Sequence, residues 1–224
     1  MAIMDDAGRK LVAEAVTEAE GATSGEIVTV LADSSDGYTD VALLWAAGAA
    51  FTAMSVFAAI PEPFLDRWDA WFAGWGHEWT AGELASMVIA LGLVKFLGVW
   101  LIQQWQPLKW LLVPGPVKAA RVRNQAVRQF KVGAERRTTG RTGVLIYLSM
   151  RERRAEIVAD ESIAAKVPAE VWGEAMGDML AHIRHGRVAE GLAVGIRDVG
   201  FILAEHFPRG ADDVNELPDR LIEV

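Results

Sequence analysis

The sequence predicts a mixed α/β domain, a sandwich with a small mixed sheet flanked by helices, interrupted after its first strand by a two-helix transmembrane hairpin. Three observations predict it. The segments "TSGEIVTVLA" at 23–32 and "RTGVLIYLSM" at 141–150 each follow an amphipathic helix and read as buried strands. Their near-continuous apolar character marks them as parallel neighbours in one sheet, since a strand covered on both faces loses the alternation of a half-exposed one. Between them lie two long apolar stretches, 41–60 without any charge and 84–102 interrupted only by Lys95.

The first helix spans 5–21, with Leu11, Val12, Ala15, Val16 and Ala19 inward and Lys10, Glu14 and Glu18 outward. It gives way at "GATSGE" to the strand Ile27–Leu31. Val41–Ile60 then supplies 20 apolar or small residues, enough at about 1.5 Å per residue to cross a hydrocarbon core of roughly 30 Å. Leu84–Ile102 is the second span, and Thr80-x-x-Glu83 reads as a capping box that starts it. The connection between the spans, 61–83, carries Trp68, Trp71, Trp75 and Trp79 and reads as an interfacial amphipathic helix or aromatic belt. Gly48 with its alanine neighbours, and Gly92 and Gly98 opposite, are expected to let the two spans pack closely. Lys95 is expected to snorkel towards the cytoplasmic end or to point into an oligomer contact, with an ion or proton path as the functional alternative.

Beyond the spans, Ala119, Val122, Ala126 and Phe130 mark the inner face of a basic helix, which ends near "RRTTGRTG" before the strand Val144–Leu148. "MRERR" makes a charged turn, and Ala155–Ala159 returns antiparallel. One helix begins near Pro168 and buries Trp172, Ala175, Met176, Met179 and Ile183. Another buries Leu192, Ile196, Val199 and Leu203. The chain thus divides into 1–37 (first helix and strand), 38–104 (hairpin, spans about 41–60 and 84–102), 105–207 (basic juxtamembrane segment and the rest of the α/β domain) and 208–224 (acidic tail, expected to lie extended over the surface).

Charge is segregated. Residues 1–40 hold 9 acids and 2 bases, whereas residues 105–141 hold 9 bases and 1 acid. Bases flanking the second span place both termini in the cytoplasm of a bacterial inner membrane, and "MAIMDDAGRKLVAEAV" has no signal-peptide pattern. The net charge of −8 argues against a nucleic-acid partner, and the absence of cysteine excludes disulfides and thiolate metal sites. The expected partners are the bilayer, its anionic headgroups and a membrane protein whose identity is open, with a homo-oligomer also open.

Chain direction sorts the polar residues into two ends of the sheet. Arg151, Arg153 and Arg154 fall with Asp33, Ser34, Ser35 and Asp36 at the membrane-facing end, and with Lys118 and Arg121 they form a basic lipid-facing surface. The Asp and Ser residues read as turn formers, with an oxygen-ligand calcium loop as the alternative. Glu26, Asp160 and Glu161, with Arg141, collect at the opposite end, where they would hold a cation, position a phosphate or form a solvated rim. His182 and His185 share a helix face at a spacing that permits zinc coordination.

The residues "TSGEIV", "RTGVLIYLSMRERRAEIVAD", "VWGEAMGDMLAHIRHGRVAEGLAVGIRDVGFILAEHF" and "NELPDRLIEV" resemble bacterial TPM-domain proteins, of the subgroup with a two-helix membrane segment after the first strand. Relatives include a thylakoid-lumen phosphatase-like protein. The resemblance implies the α/β sandwich, acid phosphatase activity and calcium binding. The residues themselves contain no phosphate loop, nucleophile elbow or paired-acid motif. The reading is therefore a binding, assembly or regulatory module at the inner membrane, with a calcium-linked phosphatase as the alternative.

Overall fold

A computed structural model describes residues 3–73, 78–133, 142–210 and 215–224; Trp75, Arg141 and most of the "RRTTGRTG" turn lie outside the described residues. In chain order the elements are α1 (Asp6–Glu20), β1 (Glu26–Ala32), α2 (Thr39–Ala59), α3 (Glu62–Trp68), a π-helical turn (Asp69–Ala73), α4 (Ala81–Ile102), α5 (Gln106–Leu112), α6 (Gly115–Gly133), β2 (Gly143–Ser149), β3 (Arg154–Ala159), α7 (Glu161–Ala164), α8 (Ala169–Arg184), α9 (Val188–His206) and β4 (Ile222–Glu223). They form two compact units: Met1–Asp36 with Gly115–Val224, and Gly37–Pro114.

The first unit is a mixed four-stranded sheet in the order β3-β2-β1-β4. β1 and β2 pair in parallel from Glu26↔Gly143 to Ala32↔Ser149, and every residue of both strands is buried. β3 pairs antiparallel to β2 from Val144↔Ala159 to Ser149↔Arg154. Alternate residues feed two cores because side chains along a strand point to opposite faces. Ile27, Leu31, Val144, Ile146 and Leu148 pack against α1, α8 and α9, where Val12, Val16, Met179, Ile196 and Leu203 are buried. Val28, Val30, Leu145 and Tyr147 pack against Val122, Ala126 and Phe130 of α6 on the other face. The inner stripes read from periodicity therefore lie where the sheet needs cover.

The tail departs from the sequence expectation. Instead of lying over the surface, it ends as β4, parallel to β1 with Val30↔Ile222. Leu221 and Leu217 are buried, so a few apolar residues secure an otherwise polar segment. The helix expected to begin near Pro168 does so, with Pro168 as the N-cap of α8. The short helices α5 and α7 carry no extended apolar period and were not expected.

The second unit contains α2 and α4, of 21 and 22 residues, both long and apolar enough to cross a membrane. The capping box is present: Thr80 Oγ1 accepts from Glu83 N–H, and Glu83 Oε2 accepts from Thr80 N–H at 2.8 Å. Ala42, Ala46, Ala50 and Phe57 form the buried seam of α2. The glycine expectation needs correcting: Gly92 does meet Met54, but a Cβ at Gly48 or Gly98 would meet nothing within 4 Å, so those two face away from the seam. Trp68 and Trp71 are exposed, and Lys95 is exposed on α4 without an ion pair among the described residues.

Gly200 marks the closest approach of α9 to α1, where an added Cβ would sit 2.6 Å from Ala19 Cβ and 3.1 Å from its Cα. Overpacking of this kind costs about 1–3 kcal/mol, more than the ~1 kcal/mol that alanine gains over glycine in a helix. Gly200→Ala should therefore lower the thermal midpoint of the detergent-solubilised protein. Gly48→Ala, with open space around it, should leave the midpoint unchanged or raise it.

Candidate functional site

Parallel pairing gives the sheet two chemically different ends. At the N-terminal ends of β1 and β2 the acids are consumed by backbone donors. Glu26 is buried and accepts from the amides of Glu216 (3.1 Å) and Leu217 (3.2 Å), which fastens the tail. Asp160 is buried on the other side of β2 and accepts from Gly143 N–H at 3.0 Å. Glu161 is exposed in the first turn of α7. Glu26 and Asp160 thus flank the same strand start, as chain direction required, but no group of three or more His, Asp or Glu able to hold a metal ion exists among the described residues. His182 Nδ1 faces Glu190 at 3.9 Å and His185 Nδ1 lies 2.8 Å from the Ala181 carbonyl.

Sequence reading missed Glu20. It falls one helical turn after Val16, so the inner stripe of α1 extended by one position would have found it. Its Oε1 accepts from Ile27 N–H at 2.8 Å and its Oε2 from Asn215 Nδ2 at 3.2 Å. With Glu26, Asp219 and Arg209 it lines a small cavity of about 110 Å³ beneath the tail. Burial, reinforced by the charges of Glu26 and Asp219, pushes the Glu20 carboxyl up to about 8, although the Ile27 amide favours its ionised form.

The C-terminal ends of the same strands are basic and polar. Arg151 pairs with Asp33 at 2.9 Å, and Arg121 of α6 pairs with Asp36 at 3.1 Å. Arg154 donates to the Gly115 carbonyl at 3.3 Å. The two points at which the chain leaves and re-enters this unit, Asp36 and Gly115, are therefore both tied to the same end of the sheet. Beneath them Glu152 is buried, its Oε1 accepting from Ser35 N–H at 2.9 Å and its Oε2 from the Ser149 hydroxyl. Ser35 Oγ also bonds to the hydroxyl of the buried Tyr147 at 3.1 Å, and burial raises that phenol above its ordinary range. Glu152 looked like one charge in an exposed turn; its partners are distant in sequence, so no local signal marks it. Lys118 is half-buried on α6 and Arg153 is exposed. The five basic residues assigned to one surface thus share an end of the sheet, but Arg121, Arg151 and Arg154 also hold the chain in place.

A carboxyl raised from 4.5 to about 8 by folding keeps a proton that the unfolded chain has lost. Its contribution to stability is complete below pH ~4.5 and fades as pH rises towards ~8. The thermal midpoint of the wild type should decline across that window. Glu20→Gln, which keeps an acceptor for Ile27 without the charge, should flatten that decline.

Residues 115–200, running from α6 into α9, match the family model of the TPM domain. The NMR structure of the BA42 protein from the psychrophilic bacterium Bizionia argentinensis sp. nov. is similar to the chain, with a TM-score of 0.57 at 18% identity, covering 100% of this chain and 97% of that one. At that identity the likeness is one of fold. No curated protein matches the sequence. With its mixed sheet, its flanking helices and the match across α6 to α9, the chain carries a TPM domain.

Proposed function

We propose that this is a membrane-anchored TPM-type protein of a bacterial inner membrane, with two spans, cytoplasmic termini and an α/β unit that acts as a binding or assembly module at the lipid surface. The observation that carries the reading is the exposed apolar surface of α2 and α4. Leu44 is 73% exposed, Phe51 68% and Val94 67%, and Leu93, Leu97, Leu101 and Ile102 are also exposed. Water-soluble monomers rarely expose contiguous apolar patches beyond a few hundred Å². A core helix of a soluble protein would have these side chains covered; a bilayer leaves them as they are.

Orientation rests on charge, because the bases that follow α4, from Lys109 to Arg128, outnumber the single Arg67 between the spans. Lys118, Arg121, Arg151, Arg153 and Arg154 supply the basic lipid-facing surface. Each base near an anionic leaflet contributes about 1 kcal/mol, and Arg121 and Arg151 are partly neutralised by Asp36 and Asp33. Lys95, seven residues before the end of α4, is placed to reach the cytoplasmic interface.

Reporter fusions after Glu78 and at the C-terminus test the topology. An exported loop and a cytoplasmic C-terminus are expected, and a cytoplasmic loop would overturn the orientation. Replacing Lys118, Arg153 and Arg154 together by Gln should weaken association of the reconstituted protein with added phosphatidylglycerol vesicles by at least tenfold at low salt. Phosphatase turnover by the wild type that is lost in Asp160→Ala would instead make the domain a hydrolase.

A further inference from the structure

At the C-terminal end of β2 the hairpin turn and the end of α8 enclose a cavity of about 510 Å³, lined by Leu148, Met150, Leu180 and Ile183, with Arg153 and Arg184 also in its wall. That volume falls within the range of small-molecule sites, and in open α/β sheets ligands gather outside the carboxyl ends of strands. Among the described residues the lining contains no acid. Neither arginine side chain has a hydrogen bond or ion pair among the described residues, whereas neighbouring bases do: Arg151 pairs with Asp33, and Arg187 pairs with Glu190. Glu152, the nearest acid in sequence, is committed to Ser35 and Ser149. The geometry points to a binding site for an anionic amphiphile, an alkyl or acyl phosphate monoester or diester whose chain lies on Leu148, Met150, Leu180 and Ile183 and whose phosphate is held by Arg153 and Arg184.

The charge balance favours the anion. The C-terminus of α8 presents roughly half a negative charge to the cavity, and two guanidinium groups outweigh it. Guanidinium also matches phosphate with paired, charge-assisted hydrogen bonds. The backbone adds an independent sign. Arg153 adopts φ 53°, the left-handed region in which glycine is the unstrained choice. The Met150–Arg153 turn holds this conformation, and residues held in this way cluster at binding and switch sites. Four apolar residues beside two uncommitted cations make a poor site for a bare inorganic ion and a suitable one for a phosphate carrying a hydrocarbon chain. This inference deepens the membrane-surface reading and shares its premise that the basic end meets lipid chemistry.

The test uses the full chain in phosphatidylcholine nanodiscs, titrated calorimetrically with hexyl phosphate, inorganic phosphate and hexanol, with empty nanodiscs subtracted. Hexyl phosphate should saturate the protein and bind at least about tenfold more tightly than either fragment alone. Arg153→Gly should weaken it about tenfold or more while holding or raising the thermal midpoint, because glycine relieves the φ 53° strain. Arg184→Gln should weaken it similarly. Exchange of a third of the phosphatidylcholine for phosphatidylglycerol identifies the source: loss of hexyl phosphate binding means that a bilayer headgroup occupies the cavity, and persistence means a soluble phosphate ester. Hexyl phosphate binding no better than inorganic phosphate, or binding as wild type by a stably folded Arg153→Gly, overturns the site. Neither outcome alters the topology measured by the reporter fusions, so the two readings fail separately.

Discussion

The structure depends on the parallel pairing of β1 and β2. Both strands are buried along their whole length, so each face of the pair must be covered, by α1, α8 and α9 on one side and α6 on the other. A parallel pair also demands a crossover that returns the chain to the starting end of the sheet. Here α6 supplies the return, and everything from Gly37 to Pro114 is inserted before that return begins. The insertion consequently has both of its attachments at one end of the sheet, the end reached by the carboxyl termini of β1 and β2. Arg121–Asp36, Arg151–Asp33 and Arg154 on the Gly115 carbonyl reinforce those attachments. An apolar pair of helices could be added to the α/β unit without disturbing its register because the sheet's own connection already ran past this point.

Legibility followed sequence distance. α1, α6, α8 and α9 declared themselves through stripes of apolar residues at helical spacing, and β1 and β2 through unbroken β-branched and aliphatic runs, since burial dictates those patterns locally. β4 had no such signal: two residues at the end of an acidic tail become a strand only because the free edge of β1 and buried Leu217 and Leu221 receive them. Gly48 and Gly98 show the complementary error. Small residues on a span permit close approach but do not say which way they face, and only Gly92 lies on the seam.

The same distinction separates the charged residues that were read well from those that were not. Sorting by chain direction put Glu26 with Asp160 and the three hairpin arginines with Asp33 and Asp36. It could not tell which of them were already committed. Glu26 and Asp160 are spent on backbone amides at opposite sides of the β2 start, Glu20 and Glu152 are buried acids whose partners lie far along the chain, and Arg121 and Arg151 have carboxylates of their own. A charge is available for chemistry only after such commitments are subtracted, and subtraction needs three-dimensional partners.

That subtraction leaves the two ends of the sheet unequal. At the amino ends, acids and tail form a closed arrangement in which carboxylates satisfy amides and one carboxyl, Glu20, remains protonated near neutral pH because burial disfavours its charge. Such a site serves to hold β4 and the tail in place. At the carboxyl ends the bases exceed their partners, and the surplus falls on Arg153 and Arg184 around an apolar cavity. Strand direction alone would direct a ligand to that end, connectivity brings the apolar insertion out of it, and the uncommitted charge selects an anion. Three independent constraints converge on the end of the domain from which α2 and α4 are tethered. The site proposed for a phosphate-bearing amphiphile lies at this end of the sheet, where Arg153 and Arg184 stand beside Leu148, Met150, Leu180 and Ile183.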